Sequence, residues 1–473
     1  MSLAARRPMR IAIIGGLAAG PAAAAEALRT NPEAEVVLFE QGPHISVGAC
    51  EIPYFVGGLI GEEADLEVLT PREFEATRGG TVKTRHRVTA IRPRERSLTV
   101  EALDFGSVHD ERFDRFVLAV GARPRRLGLD GEDAPNVFAV RTYEDAIAIK
   151  AYLDAEPVRH AVVVGGGYIG LEMAEALRSR GVRVSILERA GRVLPGTLSD
   201  DLSAPVSEAV RAGGVVVRGE VPTAFATDRW GRVKAVHTDK KEIIGCDLVL
   251  VAIGLEPRTE LARAAGVKLG ATGAIAVDDG MQTNVANVWA CGDCIEVPHI
   301  LRRKPVYVPL APVGRRSARV AARNAARQGR GDRATFAPIT GAVGVCAFGV
   351  ESARVGLGLE EAREAGFDAV ASTIRHWSRT KVYPKSKPIW VRFVVERGTG
   401  RLLGGELVGQ EGAGLRADVL VPLIREGYTA RQIADEVDLI YNPPIAPAVD
   451  PLLIAASVAA KAAGTVRRGR SAR

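Results

Sequence analysis

The sequence predicts an α/β protein with two Rossmann-like units and a C-terminal α+β domain. Residues 10–41 and 160–190 each read as a buried β-branched strand, a glycine-rich turn, an alanine-rich helix, a second strand and an acidic residue. From about residue 335 the pattern changes to strands followed by helices, which is typical of a separate α+β domain.

The length and composition fit this plan. A chain of 473 residues has room for about three domains of roughly 100–200 residues each. No apolar run reaches the roughly 18 residues of a membrane span, and the first ten residues lack the apolar core of a leader peptide. Five cysteines, an odd number in a long chain, favour a reducing cytoplasm over a disulfide framework.

The net charge of +7 fits an acidic small molecule or cofactor as well as nucleic acid. Arg316, Arg319, Arg323 and Arg327 recur at helical spacing, which is typical of a solvated helix face. No aromatic interleaving, recognition helix or zinc-finger spacing accompanies them, so we expect neither nucleic acid nor membrane as a partner. Residues 464–473 are predicted to form a basic tail.

The first repeat carries the features of a dinucleotide site. Gly15 and Gly20 flank its turn, Leu17 takes the middle glycine position, and Glu40 closes the second strand. Glycine lets the backbone approach a pyrophosphate, and the helix N-terminus offers free N–H groups with a partial positive charge. The glutamate is suited to accept a hydrogen bond from a ribose hydroxyl.

The second repeat matches the same pattern more fully. Gly165, Gly167 and Gly170 fill all three glycine positions, and Glu188 closes the following strand. One glycine motif alone is a weak signal, but two copies in strand–turn–helix context, each ending in glutamate, indicate two Rossmann-like dinucleotide-binding domains.

Three more strand ends, at Gly121, Gly254 and Asp293, extend the plan.

Together these motifs resemble the flavin-dependent pyridine nucleotide–disulfide oxidoreductases. The similarity is greatest to their single-cysteine branch, which includes coenzyme A disulfide reductases and NADH-dependent persulfide reductases, and it runs from about residue 9 to about residue 463. It implies an FAD domain, residues 1–145 and 276–332, that is split by an inserted NAD domain, residues 146–275. A C-terminal α+β dimerisation domain, residues 333–463, and the basic tail, residues 464–473, are expected to follow. The resemblance also implies a homodimer whose active site is completed across the interface.

The resemblance also implies which residues bind the two cofactors. The residues expected to bind FAD are Gly15, Gly20, Glu40, Val88, Gly121, Asp293, Leu310 and Ala311. Those expected to bind NADH, with NADPH left open, are Gly165, Gly167, Tyr168, Ile169, Gly170, Glu172, Glu188 and Gly254. Of these, Tyr168 matches an aromatic residue that gates nicotinamide access, and Glu172 matches a glutamate near the flavin. Glu188 favours NADH because a carboxylate repels a 2′-phosphate.

The stretch ISVGACEIPYFVGG, residues 45–58, holds the expected redox cysteine, Cys50. Ser46 matches the family serine four residues earlier, and Cys50 lacks the local cysteine partner of two-cysteine relatives. Its position near a helix N-terminus predicts a lowered pKa and therefore a nucleophilic thiolate at neutral pH. Glu51 stands where relatives usually have a small residue, and we predict that it tunes substrate choice or acts as a local acid.

Four further residues are candidates through the same resemblance. Tyr441 and Tyr383 match tyrosines that reach the cysteine across a dimer interface and are expected to donate a proton to the leaving thiolate. Arg29 and Arg72 are candidate contacts for the phosphates of a substrate such as coenzyme A.

The implied activity is reduction of a small disulfide or persulfide by NAD(P)H, through FAD and Cys50. An oxidase or peroxidase using a Cys50 sulfenic acid and a reductase of ferredoxin or rubredoxin remain alternatives. Oxidase and peroxidase relatives usually carry a histidine where this chain has Ala18, which favours the disulfide or persulfide branch.

The other four cysteines have apolar or motif contexts that suggest no redox role. Cys291 and Cys294 form a C-x-x-C, but neither a second such pair nor a histidine pair completes a zinc site. Cys246 and Cys346 lie in apolar, strand-like stretches and are expected to be buried.

Overall fold

The computed structural model describes residues 7–329 and 332–464, so the predicted basic tail lies outside the described residues apart from Gly464. The strands are β1 Arg10–Ile14, β2 Glu35–Phe39, β3 Thr81–Lys83, β4 His86–Arg92, β5 Ser97–Ala102, β6 Ser107–Arg112, β7 Arg115–Leu118, β8 Ala122–Pro124, β9 Val137–Ala139, β10 His160–Val164, β11 Arg183–Leu187, β12 Val215–Arg218, β13 Pro222–Thr227, β14 Val233–Thr238, β15 Ile243–Gly245, β16 Leu248–Val251, β17 Leu255–Pro257, β18 Val288–Ala290, β19 Val343–Ala347, β20 Val350–Gly356, β21 Ala369–Trp377, β22 Pro388–Glu396 and β23 Leu402–Gly409. The helices are α1 Ala19–Thr30, α2 Ile52–Val56, α3 Pro71–Arg78, α4 Tyr143–Ala155, α5 Tyr168–Ser179, α6 Asp200–Ala212, α7 Glu260–Ala264, α8 Ala311–Ala326, α9 Leu359–Glu364, α10 Ala413–Arg425, α11 Ala430–Glu436 and α12 Pro451–Ala462.

The first unit is a parallel sheet in the order β18-β7-β1-β2-β3. Its central strands are almost continuously apolar and buried, as expected of a parallel sheet covered on both faces. Strand β18 follows the whole second unit along the chain. It nevertheless belongs to the first sheet, where it pairs with β7 and Val288 lies opposite Phe116. This return confirms the predicted split of the first domain.

The second unit repeats the design, with a parallel sheet in the order β12-β11-β10-β16-β9. Strand β9 belongs to this sheet, since Val137 lies opposite Val249. It therefore precedes residue 146, where the sequence placed the start of the inserted domain. An antiparallel ribbon of β8 and β17 joins the two units.

The C-terminal unit is an antiparallel sheet in the order β19-β20-β23-β22-β21, with α10, α11 and α12 packed nearby. Its strand β23 is buried along its whole length. Two small antiparallel sheets, β4-β5-β6 and β13-β14-β15, are appended to the first and second units. Among the helices in the described ranges, none is long and apolar enough to cross a membrane.

The functional site follows from this arrangement. Helices α1 and α5 each begin at a glycine turn immediately after the first strand of their sheet, β1 and β10. In open parallel sheets ligands bind outside the carboxyl ends of the strands, where such helix N-termini lie.

Candidate functional site

The two glycine turns hold their acidic residues in the same way. The Glu40 carboxylate accepts the N–H groups of Gly16, at 2.5 Å, and Gly42, at 2.7 Å. The Glu188 carboxylate accepts those of Gly166, at 3.0 Å, and Ala190, at 3.1 Å. Both carboxylates are therefore anchored before any ligand binds, with lone pairs left for ribose hydroxyls.

The outer glycines of each turn are required by close backbone approach. A Cβ on Gly20 would lie 1.7 Å from the Gly15 carbonyl oxygen, and one on Gly170 would lie 2.0 Å from that of Gly165. Gly15 and Gly165 also have φ near +109° and +108°, which L side chains rarely adopt. By contrast, a Cβ on Gly167 would meet no atom within 4 Å. The second turn is therefore open where a pyrophosphate would approach, which fits a dinucleotide.

A cavity of about 1570 Å³ opens at the first turn. It exceeds the roughly 300–1,000 Å³ of a typical ligand pocket, which is consistent with a large ligand such as a dinucleotide. The sequence-predicted residues that line it are Gly15, Arg29, Glu40, Ser46, Cys50, Glu51, Val88, Gly121, Asp293, Leu310 and Ala311. The structure thus gathers most of the expected FAD-binding residues and the expected redox thiol around one space. Gly20 lies behind them, against the Gly15 carbonyl.

Asp293 has a partner that the sequence did not reveal. Its Oδ2 accepts a hydrogen bond from Arg141 at 2.7 Å, and Tyr307 donates to its main-chain oxygen at 3.0 Å. Arg141 lines the cavity between the two dinucleotide units, where it places a positive charge near the expected ribityl site. No motif marks Arg141, because its role depends on a contact with a distant part of the chain.

Cys50 lies in a single 3₁₀ turn, Ala49–Glu51, ahead of the five-residue helix α2, and it is exposed to the cavity. Partial burial raises the pKa of its thiol, and the nearby Glu51 and Glu172 carboxylates raise it further, while Arg141 opposes them. The expectation of a lowered pKa was therefore wrong for the protein as it stands. The short helix α2 does not outweigh the loss of hydration and the surrounding carboxylates.

Glu172 lies where the two dinucleotide units meet. The hydroxyl of Tyr54, on α2, donates a hydrogen bond to Glu172 Oε1 at 3.5 Å. This long hydrogen bond links α2, which follows Cys50, to α5. Burial raises the pKa of Glu172 to about 7, and the neighbouring Glu175 adds to the effect. Glu172 therefore changes charge near neutral pH. Tyr54 was not singled out from the sequence, although it lies only four residues after Cys50.

The remaining residues of the second site lie along α5 and the adjoining strand ends. Tyr168 and Ile169 open the helix, and the Tyr168 hydroxyl shares a hydrogen bond of 2.6 Å with Thr197. Burial raises the pKa of the Tyr168 phenol. Gly254, with φ of +104°, follows β16 and accepts a hydrogen bond from the Arg125 N–H at 3.0 Å.

Three of the residues predicted for catalysis or substrate binding, Arg72, Tyr383 and Tyr441, do not line the cavity. Arg72 lies in the first turn of α3, whereas Arg78, in the last turn of the same helix, does line it. Tyr383 and Tyr441 lie on the C-terminal unit, and 56% of Tyr441 is exposed. Within one chain the structure does not bring either tyrosine to Cys50.

The other four cysteines differ in how far they are buried. Cys291 and Cys294 are buried, and the Cys294 thiol donates to the Cys291 carbonyl at 3.2 Å. Cys246 is buried as expected, but Cys346 is exposed at the edge strand β19, so its predicted burial was wrong. Across residues 7–329 and 332–464 no group of three histidine, cysteine or acidic side chains could hold a metal ion.

Comparison with known proteins agrees with this geometry. Residues 9–329 match the pyridine nucleotide-disulphide oxidoreductase family, and residues 343–452 match its dimerisation domain. The NAD(P)H sulfur oxidoreductase (CoA-dependent) of Pyrococcus furiosus is 36% identical over 95% of this chain and 98% of its own length. An NADH oxidase of Methanocaldococcus jannaschii is 31% identical over 96% of this chain and 99% of its own.

A solved structure is also similar to this chain in fold and sequence. That of an NAD-dependent persulfide reductase from A. fulgidus has a TM-score of 0.92 and 32% identity, and the match covers 96% of this chain and 84% of that one. The chain therefore belongs to the pyridine nucleotide-disulphide oxidoreductases. It is an NAD(P)H-dependent oxidoreductase with FAD as its cofactor.

The glycines of the second turn provide a matched pair of substitutions. Gly167→Ala adds a methyl group in open space and should leave the thermal midpoint unchanged while raising KM for NADH about tenfold, equivalent to ~1.4 kcal/mol of binding. Gly170→Ala forces a methyl group against the Gly165 carbonyl and should destabilise the protein by about 1–3 kcal/mol. Thermal unfolding and NADH kinetics measure both, and equal effects on stability would contradict the distinction.

The raised pKa of Glu172 predicts a pH-dependent effect on stability. The folded protein binds this proton more tightly than the unfolded chain, so the stabilisation is complete below about pH 4.5 and is lost as pH rises towards about 7. The glutamine of Glu172→Gln cannot ionise, so the variant does not lose this stabilisation as pH increases. The thermal midpoint of the variant minus that of the wild type should therefore be larger at pH 8 than at pH 5. The exposed Glu62→Gln is the control, and a pH-independent difference for Glu172→Gln would refute the assignment.

The carboxylate of Glu51 should oppose ionisation of Cys50. In Glu51→Gln the pH dependence of Cys50 alkylation by iodoacetamide, measured on the NADH-reduced enzyme, should move to lower pH. Glu63→Gln, at an exposed position in a nearby turn, is the control. An unchanged profile in Glu51→Gln would show that this carboxylate does not influence the thiol.

Proposed function

We propose that this enzyme uses NAD(P)H to reduce a small disulfide or persulfide through the single thiol of Cys50. The supporting observation is that Cys50 shares one cavity with the expected FAD-binding residues. Among the described residues lining that cavity there is no second cysteine to form an internal disulfide. A sulfur partner for Cys50 therefore has to come from the substrate.

The chemistry balances with one disulfide and one NAD(P)H. The Cys50 thiolate attacks one sulfur of the substrate, forms a mixed disulfide and releases one thiolate, which takes up a proton. The two electrons that reduce this mixed disulfide come from NAD(P)H, and FAD held by the residues that line the cavity would supply them to the sulfur. The S–S bond then breaks, the second thiol leaves, and the Cys50 thiolate is restored. A persulfide substrate follows the same course and releases hydrogen sulfide.

Positive charge at the cavity favours an acidic substrate, and we propose a coenzyme A disulfide or persulfide. Arg29, Arg78, Arg315 and Arg319 line the cavity, and phosphates are recognised by such arginine groups. Arg29 and Arg319 are organised around Glu26, whose side chain is only 3% exposed. Arg72 is less well placed for this role than Arg78.

The α8 arginines differ from the solvated face expected from their spacing. Arg319 and Arg323 pair with Glu26 on α1, while Arg316 donates to the Ala337 carbonyl and lies over the Phe336 ring. Helices α1 and α8 pack together, so these arginines join two helices as well as carrying charge.

Completion of the site across a homodimer is part of the proposal. The C-terminal unit matches the family's dimerisation domain, and the segment around Tyr441 exposes Ile440, Ile445 and Val449. A second subunit covering this apolar surface would bring Tyr441 and Tyr383 towards its partner's Cys50, where a tyrosine hydroxyl could protonate the leaving thiolate. The free thiols of all five cysteines support a reducing, cytoplasmic location.

Cys50→Ser tests the proposal directly. NADH oxidation should be followed with coenzyme A disulfide, coenzyme A persulfide, oxidised glutathione, polysulfide, a ferredoxin and oxygen as separate acceptors. The substitution should abolish sulfur reduction while anaerobic reduction of the flavin by NADH keeps its rate. Disulfide reduction that survives in Cys50→Ser would overturn the thiol mechanism.

Mass spectrometry of Cys50 in the purified enzyme gives an independent measurement. A mixed disulfide or persulfide adduct supports the sulfur-reductase proposal and identifies its thiol. A sulfenic acid together with rapid oxygen consumption would favour the oxidase alternative instead, and efficient ferredoxin reduction by Cys50→Ser would favour electron transfer.

A further inference from the structure

The carboxylate of Glu51 lies beside the Cys50 thiol and faces the cavity. The two residues share one 3₁₀ turn, and both are exposed and line the cavity. Two other carboxylates influence the thiol, those of Glu172 and Asp293, and each is already bonded to a neighbouring side chain. In the part of the chain that the structure describes, neither a hydrogen bond nor an ion pair engages the Glu51 carboxylate. It is therefore available to an incoming molecule.

The Glu51 side chain folds back over the start of its own turn. A Cβ on Gly48 would clash with Glu51 Oε2, so the carboxylate lies against the backbone two residues before Cys50. An ionised carboxylate only accepts hydrogen bonds, so its ligand has to be a donor, and a cationic donor binds most strongly. Because the carboxylate lies beside the thiol without bonding to it, a short spacer separates such a donor from the reacting sulfur.

The cavity carries the opposite charge further along α1. The loop that holds the thiol is attached to the first glycine turn, since the Ser46 N–H donates to the Gly16 carbonyl at 3.0 Å. Arg29 and Arg319 pair with Glu26, which lies about two turns, or about 10 Å, from the start of that helix. An acceptor that reaches both regions therefore has a donor near its sulfur and acidic groups further away.

We propose that Glu51 is a specificity-determining residue, and that its carboxylate accepts a hydrogen bond from an N–H or ammonium group two carbons from the reacting sulfur of the acceptor. Cysteine and the pantetheine arm of coenzyme A both contain this arrangement, and coenzyme A carries phosphates at its other end. Binding such a donor offsets the charge of Glu51, so the selected acceptor also favours the thiolate of Cys50. This inference rests on the proposed sulfur reduction at Cys50 and specifies the part of the acceptor next to its sulfur.

The test compares four disulfides that differ in the group two carbons from the sulfur. Cystamine has an ammonium group there, N,N′-diacetylcystamine an amide N–H, bis(2-acetoxyethyl) disulfide an ester oxygen and 3,3′-dithiodipropionate a carboxylate. The value of kcat/KM for each is measured with the holoenzyme at saturating NADH and divided by that for the ester. Because the ester has no donor and no charge, this ratio removes any general change in the reactivity of the thiol.

Glu51→Gln removes the charge, and Glu51→Ala removes the charge and the acceptor. Glu51→Gln should lower the ratio for cystamine about 3- to 10-fold and raise that for 3,3′-dithiodipropionate by a similar factor. Glu51→Ala should also lower the ratio for N,N′-diacetylcystamine, about 3-fold, since its N–H then has no acceptor. Glu51→Lys should reverse the order of cystamine and 3,3′-dithiodipropionate, which a loss of packing alone would not do.

Glu63→Gln, at an exposed position outside the cavity, is the control and should keep all the wild-type ratios. If the Glu51 variants changed kcat/KM for all four disulfides by one common factor, the carboxylate would act only on the thiol and the inference would be refuted. That result would leave sulfur reduction at Cys50 in place. Absence of Cys50-dependent reduction of any sulfur acceptor would instead refute the proposed function and this inference together.

Discussion

The close approach of each nucleotide-binding helix to its sheet is the constraint on which the rest of the structure depends. Gly20 and Gly170 bring the first turns of α1 and α5 against the carbonyl groups of Gly15 and Gly165, at distances that leave no room for a Cβ atom. This approach directs both helix N-termini towards the ligands, and it places Gly16 and Gly166 where Glu40 and Glu188 can accept their N–H groups. In both units, the close packing of the helix against its glycine turn therefore shapes the places expected to bind the pyrophosphate and the ribose.

The electrostatics at Cys50 describe a thiol that is not held as a thiolate by its own chain. Burial and the Glu51 and Glu172 carboxylates oppose ionisation, and Arg141, which is already paired with Asp293, offers the opposing positive charge. Because Glu172 titrates near pH 7, the negative charge around the thiol depends on pH as well as on the occupants of the cavity. A cationic or hydrogen-bond-donating group from the substrate, or from a second subunit, would shift the balance towards the nucleophile.

Contacts between units give the fold much of its functional organisation. Arg141 lies between the two dinucleotide units, and Tyr54 joins the Cys50 region to α5. Ser199, between β11 and α6, donates its N–H to Glu406 in the C-terminal unit. Separate polar contacts therefore join the first dinucleotide unit, the Cys50 region and the C-terminal unit to the second dinucleotide unit. None of these contacts falls within a single repeated βαβ unit.

The sequence by itself determined the two glycine turns, their glutamates and the lone cysteine of residues 45–58. These features depend on spacing along a short stretch of chain, where steric rules act locally. Only the tertiary structure decided the partners: Arg141 with Asp293, 152 residues apart, Arg323 with Glu26, 297 residues apart, and Thr197 with Tyr168. In the structure the pKa of the Cys50 thiol is raised, whereas the sequence predicted that it is lowered. Arg78, and not the predicted Arg72, lines the cavity. Such pairings leave no periodic pattern in a sequence, because burial and charge depend on which distant segments the fold packs together.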